Sequence, residues 1–410
     1  MNFIIRILLL LLIIIVIEFY FTRKIRFAVK SHFKNVTPKI LNRLTLYSLL
    51  FVNLYPLIGV GYLINMQITG VRPIFPPANI FFDVFIQFPF WTFVIIIIQS
   101  ILVFLTIDLI YFILFPFIKS KKEKIKPVIA KINLVIFLFF LIYSPIRIVY
   151  DYLSVSVRLV EYKKADLHHS LNGFKIVLIS DVQADRFTNR SRLSNYIDKI
   201  NSTNPDLVLI AGDIITSTPN YIDLGAEYLG KIKSNYGVYS CVGDHDNWAY
   251  RNDVQKSLRE IKSALENVNV FMLNNEKLTL DVDSAKIGIA FVTNTYVERI
   301  DQNILDSLTT ITNGYHLKIF LTHQPRSVLI QQAYNKNYDL FFAGHTHGGQ
   351  LTFFFPFYNL SPTLFETKYV RGNFWFDNML AVVNRGLGMS LVPLRYNSTP
   401  EVTVIQLSSK

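Results

Sequence analysis

Two histidines, His345 and His347, stand two positions apart in a glycine-rich loop, Gly344–Gln350 (GHTHGGQ). The loop follows an apolar run, residues 339–343, that is typical of a buried strand. Side chains two residues apart after a strand can point into one cleft, and histidine is the commonest metal ligand in proteins. Glycines allow a sharp turn and a close approach. Taken alone, the loop fits a metal site and a turn that happens to contain two histidines equally well.

Four further apolar runs end at a residue that can bind a metal ion. Those residues are Asp181, Asp213, Asp244 and His323. In open α/β sheets, ligands bind at the carboxyl ends of the strands, and the three acids follow one another at about the length of a βαβ unit. A single acid at a strand end is commonly a helix cap or a turn residue. Histidine is a poor cap, so the whole series, together with His345, favours a metal centre.

The second part of the chain, from about residue 155, supplies the elements that would position these side chains. Short β-rich runs alternate there with polar stretches that carry one apolar face. Strands are predicted over residues 174–180, 207–211, 237–242, 318–321 and 339–343, and helices over residues 189–201, 221–234 and 254–267. This alternation is typical of an α/β domain.

The first 150 of the 410 residues hold most of the apolar excess of a chain that is 51% hydrophobic, and they predict a membrane region. Four apolar segments predict transmembrane helices: residues 4–20, 44–66, 90–118 and 134–150. A signal peptide is the rival interpretation of the first segment, but no small-residue cleavage site follows it. The fourth segment is the weakest, since Ser144, Pro145 and Arg147 interrupt it. The predicted domains are therefore a membrane domain, residues 1–150, and an α/β domain, residues 151–410.

The net charge of +12 comes largely from basic residues between the apolar segments. Residues 23–43 and residues 119–131 are rich in lysine and arginine, whereas the basic content between the second and third segments is Arg72 alone. Positive loops stay in the cytoplasm, so four crossings place the α/β domain outside the cytoplasm. If residues 134–150 do not cross, the domain lies inside. The basic residues indicate contact with anionic membrane lipids rather than with nucleic acid.

Asp108 lies inside the third apolar segment, where an acid is costly and often functional. No basic partner is evident deep within the segments, so a position that faces neighbouring helices or lies near a thinned interface is the favoured interpretation. The one cysteine, Cys241, excludes an internal disulfide. It stands in an apolar run, which indicates a core residue rather than a nucleophile.

As a set and in this order, the strand-end motifs resemble those of the calcineurin-like metallophosphoesterase superfamily, in particular its membrane-associated bacterial branch. The motifs that carry the resemblance are residues 180–181, 212–213, 243–246 (GDHD), 321–325 (LTHQP), 344–350 (GHTHGGQ), 384–388 (NRGLG) and 400–402. The resemblance covers about residues 155–408. It implies two mixed β-sheets that pack face to face with helices outside, a dinuclear metal centre and a phosphoesterase activity.

Residue roles follow from the resemblance position by position. It implies that two residues hold the first metal, one bridges both metals and three hold the second: Asp181 and His347, then Asp213, then Asp244, His323 and His345. His245 would lie beside the substrate phosphoryl group as a catalytic residue, with Asp246 orienting its imidazole. Arginine binds phosphate oxygens bidentately, so Arg385 is either a substrate contact or an ordinary surface or ion-pair residue.

Two positions depart from the usual pattern of the family. The first motif usually reads Asp-x-His, and this chain has Gln183 in the histidine position. The third motif usually reads Gly-Asn-His, and this chain has Asp244 in the asparagine position. Gln183 would offer the first metal a neutral amide oxygen, and Asp244 would add a carboxylate to the second. Oxygen ligands favour Mn²⁺ or Mg²⁺, with Fe and Zn left open, and a first metal that is weakly held or absent is the alternative.

The predicted function is a membrane-anchored, metal-dependent hydrolase of a phosphoester or pyrophosphate bond. Two divalent ions would activate a water and neutralise the phosphoryl oxygens. An aromatic run after the histidine loop, residues 351–358, is either a core strand with a turn or an apolar surface beside the metals. The second interpretation favours a lipid-linked substrate over another phosphorylated small molecule. The alternative function is a catalytically weakened domain that binds or senses a phosphorylated ligand, and a protein phosphatase also stays open.

Overall fold

The computed structural model describes residues 3–70, 78–310, 314–355 and 358–409. The chain divides into two compact units. The first comprises Met1–Val149 together with Phe353–Leu360, and the second comprises Tyr150–Thr352 together with Ser361–Lys410. The first unit is helical and the second is an α/β unit.

The described part of the helical unit is built mainly of four long helices, with one short α-helical turn. They are α1 (Phe3–His32), α2 (Pro38–Thr69), the single turn α3 (Ile80–Phe82), α4 (Phe88–Ile118) and α5 (Lys122–Leu153). The Thr37 side chain accepts a hydrogen bond from the Ile40 N–H at the start of α2, where Pro38 occupies the first position. Each of the four predicted apolar segments lies within a different long helix.

Among the described residues, two helical stretches are long and apolar enough to cross a membrane, Pro38–Thr69 and Ile80–Leu153. The second stretch contains both the third and the fourth predicted segments. Helix α5 continues through Pro145, so the interruption expected from the sequence there does not end it. Arg72, on which the predicted orientation partly rests, lies outside the described residues.

Asp108 of α4 has the basic partner that the sequence did not make evident. Its carboxylate contacts Nζ of Lys24 and accepts a hydrogen bond of 2.8 Å from the Tyr20 hydroxyl. Lys24 follows the first apolar segment, but α1 extends past that segment to His32 and carries the lysine alongside α4. These contacts agree with the favoured interpretation that Asp108 faces a neighbouring helix.

The α/β unit contains two six-stranded mixed sheets. In the order in which they lie side by side, the strands of the first sheet are β1 (Ser156–Lys164), β14 (Glu401–Ser409), β2 (Lys175–Ile179), β3 (Leu207–Ile210), β4 (Val238–Cys241) and β5 (Val270–Leu273). In the same sense, the strands of the second sheet are β12 (Gly372–Phe376), β13 (Met379–Val383), β9 (Leu340–Ala343), β8 (Leu317–Thr322), β7 (Ala285–Val292) and β6 (Glu276–Val282). Its helices are α6 (Arg190–Asn201), α7 (Ile222–Leu229), α8 (Val254–Glu266), α9 (Gln302–Thr309) and α10 (Ser327–Asn335).

The two sheets pack face to face over one apolar core. Leu178 and Leu209 from the first sheet meet Ile289, Ile319 and Phe342 from the second, and all are fully buried. Two further cores lie between each sheet and its own helices. Burial on both faces explains the continuous apolar runs of β2 and β3, and each such side chain contributes about 1.5–3 kcal/mol. The predicted fold, two packed mixed sheets flanked by helices, is confirmed.

Helix α7 ends earlier than its periodicity predicts. The sequence pattern runs to Ser234, but α7 stops at Leu229 and Gly230 caps it. A Cβ at Gly230 would lie 2.6 Å from the Cβ of Val268, so the close approach of that valine requires glycine at this point.

The aromatic run after the histidine loop does not form a core strand of the α/β unit. Strands β10 (Phe353–Phe355) and β11 (Tyr358–Leu360) form an antiparallel hairpin that belongs to the helical unit. The buried side chain of Gln99 in α4 donates to the Phe354 carbonyl at 2.7 Å and accepts from the Phe354 N–H at 2.9 Å. Pro356 and Phe357 lie outside the described residues.

Candidate metal centre

The strand ends of both sheets bring the predicted acids and histidines together. Two groups have their possible ligand atoms within 4.8 Å of one another, Asp244 with His323 and His345, and Asp181 with Asp213 and His323. His323 belongs to both groups. The five strand-end residues predicted from the sequence therefore converge on one place.

The second-metal cluster is compact. Nδ1 of His345 lies 3.0 Å from Oδ2 of Asp244, and Nε2 of His323 lies 3.4 Å from the same oxygen. The two ring nitrogens are 3.3 Å apart. One carboxylate oxygen and two imidazole nitrogens thus face a common point, as three ligands of one ion would.

The bridging and first-metal positions adjoin this cluster. Oδ2 of Asp213 lies 3.4 Å from Nε2 of His323 and accepts a 2.8 Å hydrogen bond from the Gln183 amide. Nε2 of His347 lies 3.4 Å from Oδ1 of Asp181. Oε1 of Gln183 is buried and has no hydrogen-bond partner in the described part of the chain, so the residue retains one unsatisfied oxygen at this point.

The backbone is strained where the candidate ligands stand. Residues with a positive φ include Asp181, Gln183, Asp213, His345 and His347, at 50°, 51°, 60°, 70° and 49°. Such angles are uncommon for residues other than glycine and tend to concentrate at functional sites. Glycines let the loops meet, since a Cβ at Gly243 would overlap Oδ1 of Asp213.

A second layer of residues fixes the orientation of the cluster. Nδ1 of His323 lies 2.6 Å from the Ala211 carbonyl, so that nitrogen carries the proton and Nε2 is left for a metal. The two oxygens of Asp244 each accept a 2.6 Å hydrogen bond, one from the Tyr296 N–H and one from the Gln324 amide. Oε1 of Glu366 lies 3.1 Å from Nε2 of His345.

Sequence reasoning missed Glu366, Tyr296 and Arg395. Tyr296 comes shortly after the carboxyl end of β7, so the strand-end rule that found the aspartates also pointed to it. Glu366 directly follows a single 3-10 turn, Pro362–Phe365, and no motif marks it. Arg395 is fully buried and donates to the carbonyls of His347, Arg385, Gly388 and Ser398, a role that only the folded loops reveal.

The protonation states of the two histidine groups differ. Burial alone would lower the pKa of His345, but hydrogen bonds with Asp244 and Glu366 raise it to about 9. Burial would also raise the pKa of Asp244, yet its hydrogen bonds with His323 and His345 hold it well below the usual range. By contrast, burial lowers the pKa of His347 to about 4, and the charge of Arg395 acts in the same direction.

The predicted role of Asp246 was wrong in one respect. Its carboxylate accepts backbone hydrogen bonds from Gly243, Asp213 and Ile214, at 2.8, 3.0 and 2.8 Å, and so ties two ligand loops together. The ring of His245 is oriented instead by the Thr216 carbonyl at Nδ1 and by the Ser390 hydroxyl, 3.1 Å from Nε2. The acid turns towards the N–H groups of both loops because those donors would otherwise be buried without partners.

Arg385 does not line the cavity beside the cluster. Its Nε lies 3.2 Å from Oε2 of the buried Glu401. The ion-pair interpretation left open by the sequence is therefore the one that the structure favours, and a direct contact with substrate phosphate is not supported.

A cavity of about 300 Å³ opens next to the cluster, and Asp213, Asp244, His245, His345 and His347 line it. Its other walls include Trp248, Leu351, Pro362, Leu391 and Val392, and they are largely apolar. No lysine or arginine among the described residues lines it. Leu391 is 96% exposed and has a φ of 62°. An exposed leucine held in a strained conformation at the rim indicates an apolar contact surface.

The residues present fit a pair of divalent cations. Three carboxylates and three imidazoles are gathered in a largely buried space, beside an amide oxygen without a partner. Buried carboxylates at this density are costly unless cations compensate them. The donor set, oxygen and nitrogen without thiolate, suits Mn, Mg, Fe or Zn.

The comparison with known proteins agrees with this geometry. A family model described as calcineurin-like phosphoesterase matches residues 174–349. The uncharacterised metallophosphoesterase YkuE of Bacillus subtilis is 32% identical over 251 residues, 60% of this chain and 83% of that protein. The uncharacterised metallophosphoesterase Cj0846 of Campylobacter jejuni is 28% identical over 290 residues, 69% of this chain and 70% of that protein. A Bos taurus protein named transmembrane protein with metallophosphoesterase domain is 26% identical over 264 residues, 62% and 57% of the two chains.

Proposed function

The chain belongs to the calcineurin-like metallophosphoesterases, and from that premise we propose that it is a membrane-anchored phosphoesterase that hydrolyses a lipid-linked phosphoester or pyrophosphate. The observation that carries the proposal is the apolar cavity beside the strand-end cluster of aspartates and histidines. The cluster supports the chemistry, and the apolar walls support the substrate class.

We assign the residues as follows. The first ion would be held by Asp181, Gln183 and His347, the second by Asp244, His323 and His345, and Asp213 would bridge them. When bound, the ions supply charge that polarises the phosphoryl group and activates water. Since no cationic side chain among the described residues lines the cavity, the metals would carry the recognition of the phosphate.

His245 is the candidate acid for the leaving oxygen. The Thr216 carbonyl can only accept, so Nδ1 keeps its proton in the neutral ring. A second proton on Nε2 then gives the form that donates to a leaving oxygen in the cavity. General acid catalysis of this kind is worth about 10²–10⁴ in rate.

An amphiphilic substrate fits the rim of the cavity. Leu391 is 96% exposed and Phe365, which follows Pro362 and Thr363 of the wall, is 98% exposed. Two such side chains next to a phosphate-directed site provide contacts for an acyl or isoprenoid chain. A lipid phosphate therefore uses features that a small soluble phosphoester leaves unused.

The membrane anchor is proposed to be multi-pass. The helical unit contains stretches long enough to cross, and the basic residues cluster in residues 23–43 and 119–131. If α1, α2, α4 and α5 all cross with those segments in the cytoplasm, the catalytic unit lies outside the cytoplasm. Fusion of alkaline phosphatase or green fluorescent protein to the C-terminus tests this side, because each reporter is active on only one side. A fluorescent cytoplasmic fusion would refute the topology without affecting the assigned chemistry.

The substrate proposal is tested with purified full-length protein and Mn²⁺. Water-soluble monoesters and diesters, nucleotides and lipid phosphates in detergent or liposomes are compared, with His345→Ala as the inactive control. We expect turnover of a lipid phosphate with higher kcat/KM than any soluble compound. Replacing Leu391 and Phe365 by serine should lower kcat/KM for the lipid alone. Cleavage of soluble esters with no lipid turnover would exclude the lipid substrate.

The second candidate, a phospho-ligand sensor with weakened catalysis, is favoured by one contact. The Gln183 amide donates to Oδ2 of Asp213, the carboxylate proposed to bridge the metals. A donor at this oxygen competes with metal ligation. A protein that binds a phosphorylated ligand but turns over neither aryl phosphodiesters nor lipids, with one ion bound or none, would favour this candidate.

A further inference from the structure

A second cavity, of about 800 Å³, lies within the helical unit, far along the sequence from the metal ligands. It is formed by α1, α4 and α5. Three cations line it, Arg23, Lys24 and Lys126, together with one acid, Asp108. Lys24 is neutralised by its contact with Asp108. Arg23 and Lys126 make no ion pair in the described part of the chain, so the cavity retains an excess of positive charge.

Two buried polar groups in the same cavity lack partners. The Tyr111 hydroxyl and Oδ1 of Asn133 make no hydrogen bond within the residues that the structure describes. Both residues line the cavity, and Asn133 is only 2% exposed. Buried polar atoms are nearly always satisfied in folded proteins, so each calls for an explanation. A ligand that supplies a donor to Asn133 and an acceptor to Tyr111 would satisfy both.

The remaining lining is apolar and follows helical spacing. On α4 the lining residues are Asp108, Tyr111, Phe112 and Phe115, and on α5 they include Lys126, Ile129, Ala130 and Asn133. Positions three, four and seven apart lie on one face of a helix. Each helix thus presents one face that combines polar groups with hydrocarbon, as an amphiphilic ligand requires.

We propose that this cavity binds an anionic glycerophospholipid whose headgroup carries a free hydroxyl. Arg23 and Lys126 contact the phosphate, and the Tyr111 hydroxyl donates to a phosphate or ester oxygen. The headgroup hydroxyl donates to Oδ1 of Asn133. Phe112 and Phe115 pack against the acyl chains. The position of the cavity agrees with this proposal, because α1 and α4 each lead from it into a lysine-rich segment. The proposed topology places those segments in the cytoplasm, and basic pockets between helices on the cytoplasmic side bind anionic headgroups.

The test uses the full-length protein in detergent and measures lipid binding by native mass spectrometry. Phosphatidylglycerol is compared with phosphatidylcholine, with phosphatidic acid and with soluble glycerol phosphate. We expect stoichiometric binding of phosphatidylglycerol, weaker binding of phosphatidic acid, which lacks the headgroup hydroxyl, and no binding of phosphatidylcholine. Retention of glycerol phosphate alone would assign the cavity to a free anion and overturn the lipid proposal.

Variants locate the binding. Arg23→Ala and Lys126→Ala should each weaken phosphatidylglycerol binding about fivefold, the effect of removing one interfacial cation. Lys124→Ala is the matched control, since Lys124 is an exposed lysine of α5 that does not line the cavity, and it should leave binding unchanged. Asn133→Leu should remove the preference for phosphatidylglycerol over phosphatidic acid. Equal losses in Lys124→Ala and Lys126→Ala, or equal binding of phosphatidylglycerol and phosphatidylcholine by the unaltered protein, would overturn the proposal.

Discussion

The carboxylate of Glu366 lies 3.1 Å from Nε2 of His345, while Nδ1 of the same ring lies 3.0 Å from Asp244. The imidazole is therefore held between two acids, one beside the proposed second metal and one behind the ring. A carboxylate behind a metal-binding histidine fixes the orientation of the ring and makes it a stronger ligand. The contact joins the end of the 3-10 turn Pro362–Phe365 to the histidine motif, and the hydroxyl of Tyr296 also contacts Glu366.

Glu366→Gln should weaken the binding of Mn²⁺ to the second site about 10–100-fold, the usual effect of removing such a partner. The measurement is a metal titration followed by calorimetry. Loss of the carboxylate also lowers the pKa of His345, so affinities are compared after extrapolation to the unprotonated ring. Glu266→Gln, at an exposed glutamate of α8, is the control. An unchanged affinity in Glu366→Gln would show that the contact is incidental.

Metal binding should release protons at neutral pH. In the metal-free protein the pKa of His345 is raised to about 9, so its ring is protonated at pH 7 and must lose a proton before Nδ1 can bind an ion. The pKa of His347 is lowered to about 4, so that ring is already neutral. Burial would lower the pKa of His323, the other imidazole of this site, but Asp213 and Asp244 raise it well above its usual value. Affinity at the second site should therefore rise at least about tenfold per pH unit from pH 7 to pH 9. Calorimetry in buffers of different ionisation enthalpy counts the protons, and a count of zero at pH 7 contradicts the prediction.

Gln183 should decide the occupancy of the first site. Gln183→His restores the imidazole usual in the family and should raise the affinity for the weaker of two Mn²⁺ ions. Gln183→Leu removes the amide oxygen that is buried without a partner and should abolish binding of that ion. Metal content by mass spectrometry is measured with aryl phosphodiester turnover. If Gln183→Leu keeps two ions and full turnover, Gln183 is not a ligand.

The residues at the strand ends are the part of the candidate site that could be predicted from the sequence. The apolar runs before Asp181, Asp213 and Asp244 have the length of buried strands, and each ends at an acid. The three side chains converge because parallel strands end at one edge of a sheet. Glu366 and Arg395 could not be found in this way, because their partners come from loops that have no periodicity. The sequence left the place of strands β10 and β11 open for a related reason, since an aromatic run does not reveal which surface it will pack against. Gln99, the partner of β10, lies in the helical unit.

Arg395→Met should destabilise the α/β unit, and it also removes the contact of 3.3 Å between the guanidinium and Nδ1 of His347. The guanidinium is fully buried and donates to four backbone carbonyls, in the loops of His347, Arg385, Gly388 and Ser398. Each buried carbonyl left unsatisfied costs about 1–3 kcal/mol. We expect a loss of at least about 3 kcal/mol, seen as a lower midpoint in thermal unfolding of the detergent-solubilised protein. Arg395→Lys should recover little, since an ammonium lacks the planar fork, and full recovery with lysine would contradict the argument.

His245 and Asp246 are neighbours in sequence, but substitution of His245 should mainly lower kcat, whereas substitution of Asp246 should mainly lower stability. His245 lines the cavity and its Nε2 faces the Ser390 hydroxyl, so His245→Ala should lower kcat about 10²–10⁴-fold and leave the unfolding midpoint nearly unchanged. Asp246 accepts three backbone hydrogen bonds and does not contact the ring. Asp246→Ala leaves those N–H groups without an acceptor, so it should lower the unfolding midpoint. It should also weaken metal binding, because Asp213 is displaced. Asp246→Asn keeps the shape of the side chain but can accept at one oxygen only, so its unfolding midpoint should lie between those of Asp246→Ala and the unaltered protein. If Asp246→Ala is as stable as the unaltered protein and loses only kcat, the acid acts through His245 after all.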